Sequence, residues 1–83
     1  MTAASPGDEL ESLRAQIRSV TAEIMRQAQA RMALAAQVGE VKSRLGIDVK
    51  DEKVEQEVRA MVLRQARKTG MSGQFALRLL NML

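Results

Sequence analysis

The chain has 83 residues, of which 13 are basic and 10 acidic, for a formal net charge of +3. It contains no histidine, no cysteine and a single aromatic residue. These absences exclude thiol nucleophiles, disulfides and sites built on imidazole bases or ligands. The mild, dispersed charge argues against nucleic-acid binding, and no apolar run approaches the roughly 20 residues of a membrane span. We therefore expect a cytoplasmic protein of one small domain that uses no metal and no cofactor.

The first helix is predicted to be very long. Residues 1–7 are expected to form a flexible leader that ends at a helix entry, with Ser5 as the cap and Pro6 in the first turn. The helix is predicted over about 8–45, and Gly46 is expected to end it in a left-handed conformation. Such a helix is about 55 Å long, more than so small a domain can cover, so a second chain is expected to cover part of it.

Two shorter helices are predicted after a brief connection. The second covers about 51–69 and ends at Gly70, and the third covers about 72–83 with Ser72 as its cap. The apolar residues are mostly Leu, Val, Ile, Met and Ala, which favour helix packing over sheets. We therefore predict an all-α domain over 8–83. The chain stops in mid-helix, so its C-terminus is expected to be truncated.

An apolar stripe follows one face of the first helix at spacings of three and four residues. Two cations, Arg31 and Lys42, fall on this stripe with Ala35 and Val38 between them. Their separation of eleven residues places them within about 20° of one face and about 16 Å apart along the axis. This pattern indicates a pocket for a small dianion over Ala35 and Val38. The stripe consists of Leu13, Ile17, Val20, Ile24, Ala28, Arg31, Ala35, Val38, Lys42 and Leu45.

Arg14 is too far from this pocket to serve it within one chain. It precedes Arg31 by seventeen residues. On one helix this spacing separates the two side chains by about 25 Å along the axis and about 100° around it. Arg14 could reach the pocket of a partner if two long helices ran side by side.

Helical spacing alone leaves a structural alternative open. Arg31 and Lys42 could extend past the edge of the core, or pair with Asp51 and Glu55 of the second helix. Asp51 and Glu55 lie one turn apart and could form a paired acid site. Spacing alone favours the alternative that they are acids stabilising a helix N-terminus.

Four segments of the chain resemble the all-helical (AroQ-type) chorismate mutases. That family carries L-R-x-x-I, R-x-x-L-A and V/I-G-x-x-K along its long helix, and D-x-x-R-E at the start of the second helix. The segments here follow in the same order and register, and the resemblance covers about residues 9–83. They are Leu13-Arg14-Ala15-Gln16-Ile17, Arg31-Met32-Ala33-Leu34-Ala35, Val38-Gly39-Glu40-Val41-Lys42 and Asp51-Glu52-Lys53-Val54-Glu55.

The resemblance implies an intertwined homodimer of three-helix protomers that acts on chorismate, a dianion of the shikimate pathway and of aromatic amino acid biosynthesis. It makes Arg14, delivered from the partner protomer, Arg31 and Lys42 the catalytic residues. Arg31 would bind a carboxylate, and Lys42 would lie near the ether oxygen. Asp51 would lie beside the ring hydroxyl, and Glu55 would accept a hydrogen bond from it. Ala35, Val38 and Val54 complete the expected substrate-binding set.

The chain departs from the family pattern in two places. Val54 stands where the family usually has an arginine that helps to hold a carboxylate. The chain also ends before the positions of a family serine and of a glutamine, or glutamate, that donates to the ether oxygen.

Three functions are compatible with the sequence. The resemblance implies the rearrangement of chorismate to prephenate, which needs no base, nucleophile or metal. Isochorismate pyruvate lyases share the fold and the Arg, Arg, Lys pattern. A non-catalytic dimeric helical module with an incomplete site is the third possibility.

Overall fold

A computed structural model describes residues 5–48 and 50–83, and over these ranges the regular structure is entirely helical. The prediction of an all-α fold with three helices and a very long first helix is confirmed. None of these helices, within the described ranges, is both long and apolar enough to cross a membrane. The helices are α1 over Pro6–Leu45, α2 over Glu52–Thr69 and α3 over Gly73–Met82.

The N-terminus of α1 is capped by Ser5. Its Oγ accepts a hydrogen bond from the backbone N–H of Asp8 at 3.1 Å and donates one to Asp8 Oδ2 at 2.9 Å. The predicted serine cap is therefore confirmed, and α1 begins at Pro6. The leader was predicted over 1–7 and is shorter than predicted, because Pro6 and Gly7 already belong to the first turn of α1. Residues 1–4 of the predicted leader lie outside the described part of the chain.

The C-terminus of α1 ends in a left-handed glycine, as predicted. Gly46 has φ 67°, and its N–H donates to the carbonyl of Ser43 at 3.2 Å. The N–H of Ile47 donates to the carbonyl of Lys42 at 2.9 Å. This pair of bonds is the Schellman motif, which satisfies carbonyl groups that the end of a helix leaves without partners. Val49, in the connection that follows, lies outside the described residues.

Helix α2 is capped at both ends. Asp51 is its N-cap. Gly70 ends it with φ 75°, and the N–H groups of Gly70 and Met71 both donate to the carbonyl of Ala66. Ser72 then caps α3 by accepting from the N–H of Phe75 at 3.4 Å. The glycine stop and the serine cap were both predicted from the sequence and are confirmed.

The left-handed conformation of Gly70 has a measurable consequence for stability. Gly70→Ala is expected to lower the free energy of unfolding by about 1 kcal/mol, because a Cβ atom disfavours positive φ. Gly70→Asn should lower it by less, since asparagine tolerates this conformation. Thermal and urea unfolding followed by circular dichroism would measure both variants.

Gly39→Ala is the matched control for this prediction. Gly39 lies inside α1, and a Cβ atom there would meet nothing within 4 Å. The control variant should be stabilised by about 0.5–1 kcal/mol, because alanine favours a helix interior. Equal losses at Gly70 and Gly39 would contradict the assigned role of the left-handed cap.

The chain divides into two compact units, Met1–Arg31 and Met32–Leu83. In the second unit, the helix–helix packing among described residues is between α2 and α3. Ala66 and Ala76 are the buried residues of this packing, 3% and 5% exposed. A Cβ atom on Gly73 would lie 3.2 Å from Leu63 Cδ2, so the two helices approach closely at the start of α3. Small residues thus form the α2–α3 contact.

The apolar stripe of α1 is open in the single chain. No described residue of α1 is buried. Its large apolar side chains are between 43% and 65% exposed. Burying one such side chain fully stabilises a protein by about 1.5–3 kcal/mol. The single chain lacks most of this stabilisation along α1. The most exposed of them are Ile17, Met25 and Leu45, each at 65%.

Candidate active site

The two predicted guanidinium groups lie in the first unit, on the surface of α1. Arg14 and Arg31 are both exposed. Within the described part of this unit, the ion pairs join other residues, and neither Arg14 nor Arg31 takes part in them. The pairs are Arg18 with Glu11, at 3.0 Å, and Arg26 with Glu23.

Glu23 belongs to a local network on the surface of α1. Hydrogen bonds from Gln27 and Arg26 lower the pKa of Glu23. The donors lie three and four residues further along the same helix, which is the spacing of neighbours on a helix surface. The Glu23 carboxylate is therefore hydrogen-bonded to neighbours on its own helix and is not part of the candidate site.

Lys42 lies in the last turn of α1, in the second unit, and is half-buried. It follows Ala35 and Val38 at spacings that place all three on one face of the helix. Ala35 is exposed and Val38 is 53% exposed. The backbone carbonyl of Lys42 accepts a hydrogen bond from the N–H of Ile47, which holds the backbone at this position. The structure thus places the predicted lysine at a capped helix end, on the same helix face as Ala35 and Val38.

Asp51, Val54 and Glu55 come together at the start of α2. Asp51 Oδ1 accepts hydrogen bonds from the backbone N–H groups of Lys53, at 3.1 Å, and Val54, at 3.4 Å. The backbone carbonyl of Asp51 accepts from the N–H of Glu55 at 3.0 Å. Val54 is 50% exposed, and the side chains of Asp51 and Glu55 are exposed.

The capping role of Asp51 is a feature that the sequence analysis missed. Asp51 was taken to begin the second helix, as one of its N-terminal acids. Its position immediately before the helix was the available signal, because aspartate is among the residues most favoured as an N-cap. The carboxylate of Asp51 therefore has a defined structural partner.

Within the second unit, the structure places the predicted residues in two separate groups, one on α1 and one at the start of α2. It brings Asp51, Val54 and Glu55 into one turn of α2, and it places Ala35 and Val38 on the Lys42 face of α1. Arg14 and Arg31 belong to the first unit, and their approach to Lys42 stays a prediction from helical spacing.

The available side chains define what chemistry this set can perform. It offers two guanidinium groups, one ammonium group and two carboxylates. Guanidinium and ammonium groups bind anions by charge-assisted hydrogen bonds. Among the residues that the structure describes, no group of three or more acidic side chains is placed to hold a metal ion. If these side chains came together, as the sequence predicts, they would suit the binding of a small anion.

These observations define an all-helical domain with cationic side chains on its longest helix. A family model described as chorismate mutase type II matches residues 13–83. The chain therefore belongs to the type II chorismate mutase family, and the resemblance seen in the sequence is confirmed. Comparisons with curated proteins and with solved structures gave no match.

Proposed function

We propose that the protein is a chorismate mutase, which converts chorismate to prephenate by an intramolecular rearrangement. The observation that carries the proposal is the family match over residues 13–83. This range contains every charged residue that the sequence assigns to the site, in the family order. In the reaction one C–O bond breaks and one C–C bond forms within a single molecule. No proton acceptor, nucleophile or metal takes part, which suits a chain without histidine or cysteine.

Lys42 would supply the main electrostatic effect. As the C–O bond breaks, negative charge develops on the ether oxygen, and a fixed ammonium group beside this atom stabilises the transition state more than the substrate. The half-burial of Lys42 supports this role, because partial removal from water strengthens charge interactions. The Schellman motif supports it as well, since a fixed backbone limits the reorganisation that the lysine would need.

The remaining residues would hold the substrate in its reactive shape. Arg31, and Arg14 from the partner protomer, would bind the two carboxylates by charge-assisted hydrogen bonds. Glu55 would accept a hydrogen bond from the ring hydroxyl. Holding a flexible dianion in one compact conformation removes much of the entropic part of the barrier. Ala35, Val38 and Val54 would line the apolar side of the site.

The proposed active form is an intertwined homodimer. Its support is the exposed apolar stripe of α1, together with a core in which Ala66 and Ala76 are the buried residues of the described chain. A small domain with so little buried apolar surface usually needs association to be stable. Side-by-side packing of two α1 helices would cover the stripe and would bring Arg14 to the partner's site.

A direct assay tests the proposed function. The purified protein is incubated with chorismate, and prephenate formation is followed by liquid chromatography against a heat-inactivated sample. We expect prephenate at a rate well above the uncatalysed rearrangement. Incubation with isochorismate distinguishes the lyase alternative, which would release salicylate and pyruvate. A folded protein that transforms neither compound, and whose melting temperature does not rise with a bicyclic transition-state analogue, would contradict the proposal.

A substitution at Val54 tests whether this position of α2 lies beside a substrate carboxylate. Val54→Arg is expected to lower KM for chorismate by about tenfold, the effect of one hydrogen bond to a charged group. The side chain is 50% exposed, so arginine can be accommodated there without disturbing a core. Steady-state kinetics measure the change.

Val54→Met is the matched control for this substitution. It lengthens the side chain without adding charge and should leave KM nearly unchanged. An unchanged or higher KM in Val54→Arg would contradict the placement of Val54 beside a substrate carboxylate.

A further inference from the structure

The connection between α1 and α2 is held at both ends by helix caps. On the α1 side, the left-handed Gly46 allows the N–H of Ile47 to bind the carbonyl of Lys42. On the α2 side, Asp51 binds two N–H groups of the first turn. Lys42 and Glu55, the two residues proposed to act on the ether oxygen and the hydroxyl, therefore lie within one turn of a cap.

The carboxylate of Asp51 is engaged with the helix. Oδ1 accepts from the N–H groups of Lys53 and Val54, and the backbone of Asp51 has the extended conformation of an N-cap, with φ −126° and ψ 103°. These N–H groups are among those that the start of a helix leaves without helical partners. Their satisfaction by a charged acceptor stabilises the first turn through both hydrogen bonding and the helix dipole.

Glu55 depends on the turn that Asp51 stabilises. The N–H of Glu55 donates to the carbonyl of Asp51 at 3.0 Å, which is the first hydrogen bond of the helical ladder. Glu55 is exposed and lies in the first turn, where a helix frays most readily. If the cap were lost, the turn would open and the backbone of Glu55, from which its carboxylate projects, would no longer be held in place.

We propose that Asp51 is a positioning residue of the site, whose carboxylate caps α2 and so fixes Glu55. It acts on the substrate through Glu55 and not through a contact of its own. This inference rests on the proposed function, because it assumes that Glu55 binds the ring hydroxyl. In this inference the two acids at the start of the second helix have different roles: Glu55 contacts the substrate, and Asp51 caps the helix.

Four substitutions at Asp51 separate capping from charge. Asp51→Asn and Asp51→Ser keep a good N-cap and remove the charge, whereas Asp51→Glu keeps the charge on a poorer cap. Asp51→Ala removes both. We expect kcat/KM of the Asn and Ser variants to stay within about twofold to threefold of wild type, and that of the Glu and Ala variants to fall by at least about fivefold. The loss should appear mainly as a higher KM.

A double variant tests whether the effect passes through Glu55. Once Glu55 is removed by Glu55→Ala, adding Asp51→Ala should cause little further loss of kcat/KM, because the capped group is already absent. A purely structural weakening would instead add a similar loss in both backgrounds. All variants are assayed at a temperature where circular dichroism shows full helix content.

The outcomes distinguish this inference from the proposed function. An active Asp51→Glu variant beside an inactive Asp51→Asn variant would show that the charge itself contacts substrate, and would overturn the inference alone. Additive losses in the double variant would also overturn it. A wild-type protein without activity on chorismate would overturn the proposed function, and this inference with it, before any variant is compared.

Discussion

Lys42→Ala is expected to lower kcat for the rearrangement of chorismate by about 10²- to 10³-fold, the effect of removing one preorganised donor from a developing oxyanion. The loss should fall on kcat more than on KM, because the partial negative charge on the ether oxygen is greatest in the transition state. Stopped assays of prephenate formation under saturating substrate would measure it.

Arg44→Ala provides the matched control, because Arg44 is an exposed cation in the same last turn of α1. Two residues along a helix place it on a different face from Lys42. It should retain nearly full kcat, and both variants should retain the helix content of the wild type. Full activity in Lys42→Ala would rule out the proposed electrostatic role.

Mixing two inactive variants is expected to restore activity if Arg14 is supplied by the partner protomer. Arg14→Ala and Lys42→Ala should each be strongly impaired alone. Random exchange of subunits makes about half of the dimers mixed, and each mixed dimer carries one intact site and one doubly defective site. The mixture should therefore reach about a quarter of wild-type activity.

The control for this experiment replaces Arg14→Ala with Arg18→Ala. Arg18 is an exposed cation paired with Glu11 on the same helix, so the variant should be active by itself. Subunit exchange can be verified independently by giving the two variants different affinity tags and purifying the mixed dimer. A verified mixed dimer without activity would show that Arg14 and Lys42 do not serve the same site across the interface.

The helix ends were predictable because their causes are local. Each capping residue acts on backbone groups only a few positions away. These residues are Ser5, which precedes Pro6, and Gly46 and Gly70, which follow basic residues. Nothing distant in the chain is needed to make such a residue a cap. For the same reason the capping role of Asp51 was within reach of the sequence, and it was missed because Asp51 was interpreted as an N-terminal acid.

The assembly of the site was not predictable to the same degree. Helical spacing fixes the relation of Ala35 and Val38 to Lys42, since all three share one helix face. The contribution of Arg14 depends on how two chains meet, and that depends on packing between surfaces far apart in sequence. Our proposal for Arg14 therefore rests on the family resemblance, and the family match covers residues 13–83. Spacing alone left Arg31 and Lys42 open to a purely structural interpretation.

The open face of α1 has a consequence for how the protein comes to exist in the cell. A forty-residue helix that buries none of its described side chains has little to hold it in place until it meets another molecule. If the proposed homodimer forms, folding and assembly would be a single bimolecular event, and the folded fraction would rise with the protein's own concentration. A newly synthesised chain would have to meet a second copy before α1 could pack stably.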